Sequence, residues 1–254
     1  MLKALIFDVD GTLADTERDG HRVAFNRAFA AEGLAIAWGE ALYGRLLSVT
    51  GGKERLSYFF TQVRPDLRPP GDLEAVVRRL HARKTALYTD LLKSEGVPLR
   101  PGIRRLLVEA RARGLLLAVA TTTTEDNLLP IWEALGPGAR AWFSVVGAGD
   151  VVAAKKPAPD IYDYVLARLG LPAQDCLAFE DSENGLRAAT GAGLCTIVTV
   201  TDYTKDQNFD EALLVVDHLG DPGKPLAHVR GVPFTRPQLD VDGLMQLTQH
   251  CGDR

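Results

Sequence analysis

Residues 2–15, LKALIFDVDGTLAD, contain a short apolar run that ends in two carboxylates and a glycine turn. The run Ala4–Phe7 predicts a buried strand. Because side chains alternate along an extended chain, Asp8 and Asp10 leave the strand end on the same side and share one small volume. Carboxylates held this close raise one pKa or recruit a cation, and oxygen ligands favour a hard ion such as Mg²⁺. Taken alone, the segment is also consistent with a plain strand and an Asp-Gly turn.

The composition is typical of a globular protein that binds neither nucleic acid nor membrane. A chain of 254 residues with 46% hydrophobic content can form one α/β domain or a core with a smaller inserted unit. The formal charge of −4 provides no basic field for nucleic acid or an anionic membrane. We find no apolar run long enough to span a bilayer and no cleavable signal, so we expect a cytoplasmic protein. We also expect a monomer.

The cysteines and histidines show no metal-ligand spacing. Cys176, Cys195 and Cys251 form no C-x-x-C motif, and the first two lie in apolar runs, so we predict reduced core residues. The five histidines are scattered, which argues against a zinc site.

Residues 15–94 have the periodicity of helices and contain no strand candidate. The predicted helices cover roughly residues 17–32, 40–48, 53–63 and 72–92, with breaks at glycines and prolines. This pattern predicts a small helical unit inserted after the first strand. The predicted α/β core then comprises residues 1–14 and 95–254.

From residue 96 onward, helices and strands alternate. The predicted strands are residues 115–120, 142–146, 176–179, 194–200 and 213–216. The predicted helices are residues 101–113, before the first of these strands, and 125–135, 159–169 and 183–191 between them. This alternation predicts a Rossmann-like α/β core, with a mostly parallel sheet and helices on both faces. Residues 217–240 read as a long irregular connection before a last helix near residues 241–249.

Polar side chains follow the strands at the edge where such sheets bind ligands. Thr121 begins a run of four threonines after one strand, Lys155 and Lys156 follow the next, and Glu180 and Asp181 follow a third. Each strand end thus supplies a hydroxyl, an ammonium or a carboxylate close to the first carboxylate pair.

These groups suit phosphoryl transfer through an aspartyl-phosphate, in which carboxylate attack splits one difficult step into two. Asp8 is the predicted nucleophile. Asp10 is the predicted general acid and base, a role open to a carboxylate whose pKa its neighbours raise. Thr121 would donate a hydrogen bond to a phosphoryl oxygen, and Lys156 would offset charge on the phosphoryl group and Asp8.

A divalent cation completes this prediction, because so many carboxylates would otherwise repel a phosphate ester. The predicted Mg²⁺ ligands are Asp8, the main-chain carbonyl of Asp10, Asp181 and, directly or through water, Glu180. Three structural alternatives stay open. Thr122 could face the site instead of Thr121, Lys155 could do so instead of Lys156, and residues 180–182 could merely cap a helix.

The four strand-end segments resemble the motifs of the haloacid dehalogenase-like hydrolase superfamily. They are FDVDGTLAD at residues 7–15, the strand ending in Thr121, KKPAPD at 155–160 and FEDSENG at 179–185. The resemblance covers residues 1 to about 200 and implies a Mg²⁺-dependent phosphatase. It also implies that residues 15–94 form a helical cap that closes over the site, excludes water and selects substrate.

Within the superfamily, the chain is most similar to the CbbY group. The segments that carry this narrower resemblance are residues 15–17, 50–55, 81–84 and 120–123. Calvin-cycle-associated members of the group hydrolyse xylulose 1,5-bisphosphate, so the resemblance implies a small phosphorylated sugar as substrate. Related β-phosphoglucomutases move a phosphoryl group between sugar hydroxyls with the same core residues.

The cap contains candidates for binding a second phosphate. Gly51 and Gly52 at a helix start offer backbone N–H donors, and Lys53 and Arg55 add positive charge. A helix-helix turn with solvated charges is the alternative. Further candidates for contact with sugar hydroxyls or phosphate are Glu17, His21, Tyr43, Lys84, Thr122 and Asn127.

Three functions are thus open at the level of sequence: a sugar-phosphate phosphatase, an intramolecular phosphotransferase, and a phospho-accepting signalling receiver. Asp10 and the long helical insert argue against the receiver, which needs neither a leaving-group acid nor a lid.

Overall fold

A seven-stranded sheet lies at the centre of the computed structural model, which describes residues 1–253. The strands, in chain order, are β1 Ala4–Phe7, β2 Leu116–Ala120, β3 Phe143–Gly147, β4 Cys176–Glu180, β5 Cys195–Thr199, β6 Leu214–Val216 and β7 His228–Gly231. Their order in the sheet is β3-β2-β1-β4-β5-β6-β7, and every neighbouring pair is parallel except β6 and β7. Phe7 is level with Val119 and Phe179, so the residues that follow β1, β2 and β4 emerge at one edge.

Side-chain alternation in β1 explains why helices cover both faces of the sheet. Leu5 and Phe7 are buried in one apolar cluster, whereas Ala4 and Ile6 are buried in another on the opposite face. The first cluster contains helices α5 Ile103–Ala112, α6 Leu129–Leu135 and α9 Val241–Leu247, and the second contains α7 Asp160–Leu169 and α8 Glu183–Gly191. The predicted Rossmann-like fold class is confirmed.

Residues 15–94, here called the cap segment, pack around an apolar cluster of their own. Their helices are α1 Arg22–Ala31, α2 Glu40–Leu46, α3 Gly52–Tyr58 and α4 Leu73–Glu95. Wider π-helical turns precede α1 at Glu17–His21 and follow α3 at Phe59–Val63. Buried aromatic rings fill the centre of this cluster, and Trp38 is fully buried there. The division into residues 15–94 and the remaining core stays a prediction.

The C-terminal region contains more regular structure than the sequence indicates. Strand β7 pairs with β6 inside the stretch predicted to be irregular. All four of its residues are exposed, so it lacks the apolar alternation by which a strand is recognised. Arg105 in α5 binds this region by donating hydrogen bonds to the carbonyls of Leu219, Gly220 and Leu239. Arg254, the last residue of the predicted core, lies outside the described residues.

The prediction that all three cysteines are reduced is wrong in this structure. Cys195, at the start of β5, forms a disulfide with Cys251, and the two Cα atoms are 6.0 Å apart. The pair is separated by 56 residues and meets because the chain after α9 returns to the start of β5. Cys176 is free and buried, as predicted. Among residues 1–253, no helix is both long and apolar enough to cross a membrane.

Candidate active site

Four charged side chains converge where β1 and β4 end, and we call them the floor of the site: Asp8, Lys156, Glu180 and Asp181. Lys156 Nζ donates to Asp8 Oδ1 at 2.7 Å and to Glu180 Oε1 at 2.5 Å. It also donates to the carbonyl of Ala120 at the end of β2, at 3.0 Å. Lys156 is 5% exposed, so its charge acts in a poorly solvated environment.

The floor holds more negative than positive charge. Oxygens of Asp8, Glu180 and Asp181 lie within 4.8 Å of one another. Burial raises the pKa of Asp8 to about 8 against the lowering effect of Lys156, and the charge of Glu180 contributes to this rise. Burial and the two neighbouring carboxylates also raise the pKa of Asp181. This crowding is what a divalent cation would relieve.

Two structural features make the crowding feasible. Gly11 has φ +82°, and a Cβ there would overlap the carboxylate of Asp181, so this turn needs glycine. Glu180 is fully buried and also accepts a hydrogen bond from the Tyr162 hydroxyl at 2.5 Å. The partners of Glu180 indicate that it holds Lys156 in place, while Asp8 and Asp181 keep oxygens free for a cation.

The structure distinguishes between the two lysines but not between the two threonines. Lys156 points into the floor, whereas Lys155 Nζ donates to the carbonyl of Gly149 and to Asp150. Thr121 and Thr122 both line the cavity above Asp8, and Thr121 is almost fully buried. Both hydroxyl-bearing residues are therefore placed beside the predicted phosphoryl position.

Asp10 binds a group of cap-segment side chains. Its Oδ1 accepts a hydrogen bond from the Thr16 hydroxyl at 2.5 Å and lies 2.8 Å from His21 Nε2. Lys84 Nζ contacts the other ring nitrogen, Nδ1. The His21 ring therefore lies between the carboxylate of Asp10 and the ammonium group of Lys84.

The expectation that its neighbours raise the pKa of Asp10 is wrong. Burial acts in that direction, but the charge and hydrogen bond of His21, with the hydrogen bond of Thr16, outweigh it and lower the pKa to about 2. The sequence does not show these partners, because they belong to the cap segment and meet Asp10 only in the fold. Asp10 is therefore ionised at neutral pH.

Cap-segment residues, here called the cap wall, lie on the other side of the site: Glu17, His21, Tyr43, Arg55 and Lys84. Glu17 and Arg55 line the cavity above Asp8, His21 and Lys84 line a second one beside it, and Tyr43 supports Glu17 and Arg55 from behind. Tyr43 donates to Glu17 Oε2 at 2.5 Å and accepts from Arg55 Nη1 at 3.0 Å. Arg55 is buried, and Nε binds the carbonyl of Leu46. These contacts hold Arg55 in position while it lines the cavity together with Gly51.

A second polar cavity adjoins the first on the Lys84 side of the cap wall. Gly52, His81, Lys84 and Asn127 line it. Asn127 is 2% exposed, and its Nδ2 donates to Thr123 Oγ1 at 2.9 Å. Its Oδ1 has no partner among the described atoms, nor has the buried hydroxyl of Thr124 in the same lining. Unpaired buried polar atoms of this kind suit a polar ligand.

Several residues of the site escaped the sequence analysis, and two predicted substrate-binding residues, Tyr43 and Lys53, line neither cavity. Tyr203 lines the first cavity from the loop after β5, and its ring lies 6.0 Å from that of Tyr43. Asn184 in the FEDSENG segment binds the cap segment, a role that its motif does not indicate. Lys53 lines neither cavity, and its ammonium binds Asp150 of the core at 2.5 Å.

Comparison with known proteins identifies the class of this fold and site. The model of the haloacid dehalogenase-like hydrolase family matches residues 2–193. The CbbY protein of Cupriavidus necator is 51% identical over 91% of both chains, and that of Cereibacter sphaeroides is 43% identical over 93% of this chain and 99% of its own.

Solved structures agree with this grouping. The crystal structure of a CbbY mutant from Rhodobacter sphaeroides in complex with xylulose 1,5-bisphosphate has a TM-score of 0.80 and 44% identity, covering 86% of this chain and 95% of that one. The protein therefore belongs to the haloacid dehalogenase-like hydrolase family. Within that family it falls in the CbbY group, and it is an enzyme of the phosphatase class.

Proposed function

We propose that this protein is a Mg²⁺-dependent phosphatase of small phosphorylated sugars that acts through an aspartyl-phosphate on Asp8. The convergence of Asp8, Lys156, Glu180 and Asp181 at one buried edge of the sheet carries this proposal. Of the predicted alternatives, the receiver is disfavoured because cap-segment residues, including Glu17 and Arg55, line a polar cavity above Asp8.

Asp8 is the proposed nucleophile because it lies at the bottom of the cavity with an ammonium group against one carboxylate oxygen. Attack on phosphorus forms the acyl-phosphate and releases the sugar alkoxide. Lys156 remains beside Asp8 throughout and offsets the charge of the phosphoryl oxygens. The charges of Asp8 and Glu180 outweigh the effect of burial and raise the pKa of Lys156, so it stays protonated.

The proposed Mg²⁺ ligands are Asp8, Asp181 and the main-chain carbonyl of Asp10, with Glu180 acting through water or through Lys156. The all-oxygen donor set and the raised pKa values of Asp8 and Asp181 fit a hard divalent ion. When bound, Mg²⁺ supplies positive charge that lets a phosphate ester approach three carboxylates.

Asp10 is proposed to protonate the leaving oxygen and later to deprotonate the attacking water. Both hydrogen bonds from the cap segment fall on Oδ1, which leaves Oδ2 for proton exchange. A bound phosphoryl dianion would raise the pKa of Asp10 by repulsion, so the carboxylate takes up a proton as substrate binds. Thr16 and His21 then orient the group rather than setting its protonation alone.

The proposed substrate is xylulose 1,5-bisphosphate, which is hydrolysed to xylulose 5-phosphate. Two polar cavities meet at Glu17 and Arg55, so a ligand with phosphates at both ends could occupy the two together. Arg55 and Lys84 supply positive charge for the phosphate that is not transferred. The similar protein solved with xylulose 1,5-bisphosphate supports this choice.

Product analysis tests the proposal. Incubation with Mg²⁺ and xylulose 1,5-bisphosphate is expected to release inorganic phosphate and xylulose 5-phosphate. Incubation with β-glucose 1-phosphate is expected to yield little glucose 6-phosphate. Formation of glucose 6-phosphate as the faster reaction would instead identify a phosphotransferase. The cytoplasmic location and the monomeric state remain predictions.

A further inference from the structure

A three-residue ion-pair group joins the cap segment to the loop that carries Lys156. Asp150 lies in the loop after β3, and its Oδ2 accepts from Lys53 Nζ of the cap segment at 2.5 Å. Its Oδ1 accepts from Lys155 Nζ of the core at 2.8 Å. The same Lys155 ammonium donates to the carbonyl of Gly149 at 2.5 Å. One carboxylate thus binds both sides of the boundary.

We propose that Asp150 is a positioning residue that couples closure of the cap segment to placement of Lys156 beside Asp8. We call the group Lys53–Asp150–Lys155 the clasp. Lys155 directly precedes Lys156, but none of the three clasp residues lines either polar cavity. The ion pair with Lys53 restricts the motion of Asp150, and Asp150 in turn restricts Lys155. The backbone at the adjacent Lys156 is thereby fixed in a position from which its side chain contacts Asp8.

The charge of Asp150 and the location of Lys53 support this role for the clasp and argue against substrate binding by Lys53. Hydrogen bonds from Lys155 and Lys53 lower the pKa of Asp150 to about 2, so the carboxylate is ionised at neutral pH. Lys53 lines neither polar cavity, although its neighbours Gly51 and Gly52 do. Its ammonium is therefore committed to the core loop.

A second contact across the same boundary is made by Asn184, which lines the first cavity. Asn184 Nδ2 donates to the carbonyl of Ser48 at 3.0 Å and to Thr50 Oγ1 at 3.1 Å. Asn184 lies three residues after the floor residue Asp181, and Lys155 lies one residue before the floor residue Lys156. The two segments that contain these floor residues therefore also contact the cap segment. Of these two contacts, the clasp is the one made by charged side chains; Arg18 and Asp202 form a further, longer ion pair across the boundary at 3.7 Å.

Kinetics of variants in the full chain test the clasp, and this test rests on the proposed phosphatase activity. Asp150→Asn and Lys53→Met are each expected to lower kcat/KM for the sugar phosphate about tenfold, the size expected for coupled neighbours. The double variant should be no slower than Asp150→Asn, because either change opens the same clasp. Asp66→Asn is the matched control. Asp66 is 61% exposed, like Asp150 at 59%, and binds Arg64 within the cap segment.

Small-angle X-ray scattering of the same proteins without substrate separates the clasp from the proposed activity. Asp150→Asn and Lys53→Met are expected to increase the radius of gyration, whereas Asp66→Asn should match the wild type. Scattering of Asp150→Asn identical to wild type would overturn the proposal, as would an undiminished effect of Lys53→Met in the Asp150→Asn background. If the wild type hydrolyses no phosphate ester, the proposed function fails, but the scattering still decides the clasp.

Discussion

The floor of the site and the cap wall differ in the balance of their charges. On the floor, three buried carboxylates lie within 4.8 Å of one another and are accompanied by one ammonium group, that of Lys156, which binds two of them. On the cap wall, Glu17 is accompanied by two cationic side chains, Arg55 and Lys84. A phosphate ester is therefore repelled by the floor unless a cation is added, whereas the cap wall can attract an anion unaided.

From this difference we expect the floor to carry out the reaction and the cap wall to bind the substrate. Floor residues come from core strand ends and hold the groups proposed to react, and changes there should lower kcat or the affinity for metal. Cap-wall residues come from the inserted helices, and changes there should raise KM. Four predictions test the separation, beginning with the largest effect.

Removing the proposed nucleophile should have the largest effect. Asp8→Asn is expected to lower kcat by about 10⁴-fold or more, because an amide cannot form the acyl-phosphate. Phosphate release from p-nitrophenyl phosphate with Mg²⁺ measures this loss. Asp90→Asn on the exposed side of α4 is a suitable control and should match the wild type. Substantial turnover by Asp8→Asn would contradict the assignment of the floor as the reacting region.

Weakening the carboxylate cluster should change the metal requirement more than the binding of sugar. A chelator is expected to abolish wild-type activity, and added Mg²⁺ to restore it. Asp181→Asn should raise the half-saturating Mg²⁺ concentration by about ten- to a hundredfold, since one charged ligand is lost. A titration of initial rate against Mg²⁺ measures the change. Activity that is unaffected by the chelator would exclude a metal role for the floor.

Altering the cap wall should affect substrate affinity. Arg55→Lys keeps the charge but loses the fork of donors that now binds Tyr43 and the carbonyl of Leu46. We expect KM for xylulose 1,5-bisphosphate to rise about tenfold, the size of a lost charge-assisted hydrogen bond. KM for p-nitrophenyl phosphate, which has one phosphate, should change much less. An equal rise for both substrates would show that the cap wall does not distinguish between them.

The smallest expected effect concerns stability and pH. Burial lowers the pKa of Lys84 to about 8 in the folded protein, from the ordinary value of 10.5. The unfolded chain thus binds the proton more tightly, so stability should increase as pH rises from about 8 to 10, by about 1 kcal/mol per pH unit. Urea unfolding measures this slope.

A matched pair of variants shows whether that slope comes from the cap wall. Lys84→Met should abolish the rise in stability, whereas Lys93→Met, at an exposed position of the same helix, should retain it. A rise of equal size in both variants would mean that some other group causes it. The free energy of unfolding would then carry no information about the buried ammonium.

Predictability also differed between the two regions. The floor residues follow strands, and because the ends of parallel neighbouring strands are level, a strand assignment alone predicts that Asp8, Glu180 and Asp181 are neighbours. The register of Phe7 with Phe179 bears out that reasoning. In contrast, helix periodicity says which residues of the cap segment are buried but not which part of the core they face. For this reason Asp150, Asn184 and Tyr203 were missed.

The pairing of Cys195 with Cys251 and the low pKa of Asp10 have the same origin. Both depend on groups that are distant in sequence and meet through packing of one element on another. The spacing of residues along the chain does not predict contacts of this kind. Strand β7 was missed for a different reason, because an exposed edge strand needs no apolar face.

The sequence by itself determined the alternating α/β core, the inserted helices and the acidic, hydroxyl and lysine groups at the strand ends, because these follow from local periodicity and from the geometry common to parallel sheets. Only the tertiary structure decided that Lys156 rather than Lys155 faces Asp8, that His21 lowers the pKa of Asp10, and that Lys53 binds Asp150. These contacts depend on the direction in which single side chains point and on which residues of the core and the cap segment face each other. The periodicity of the sequence predicts neither.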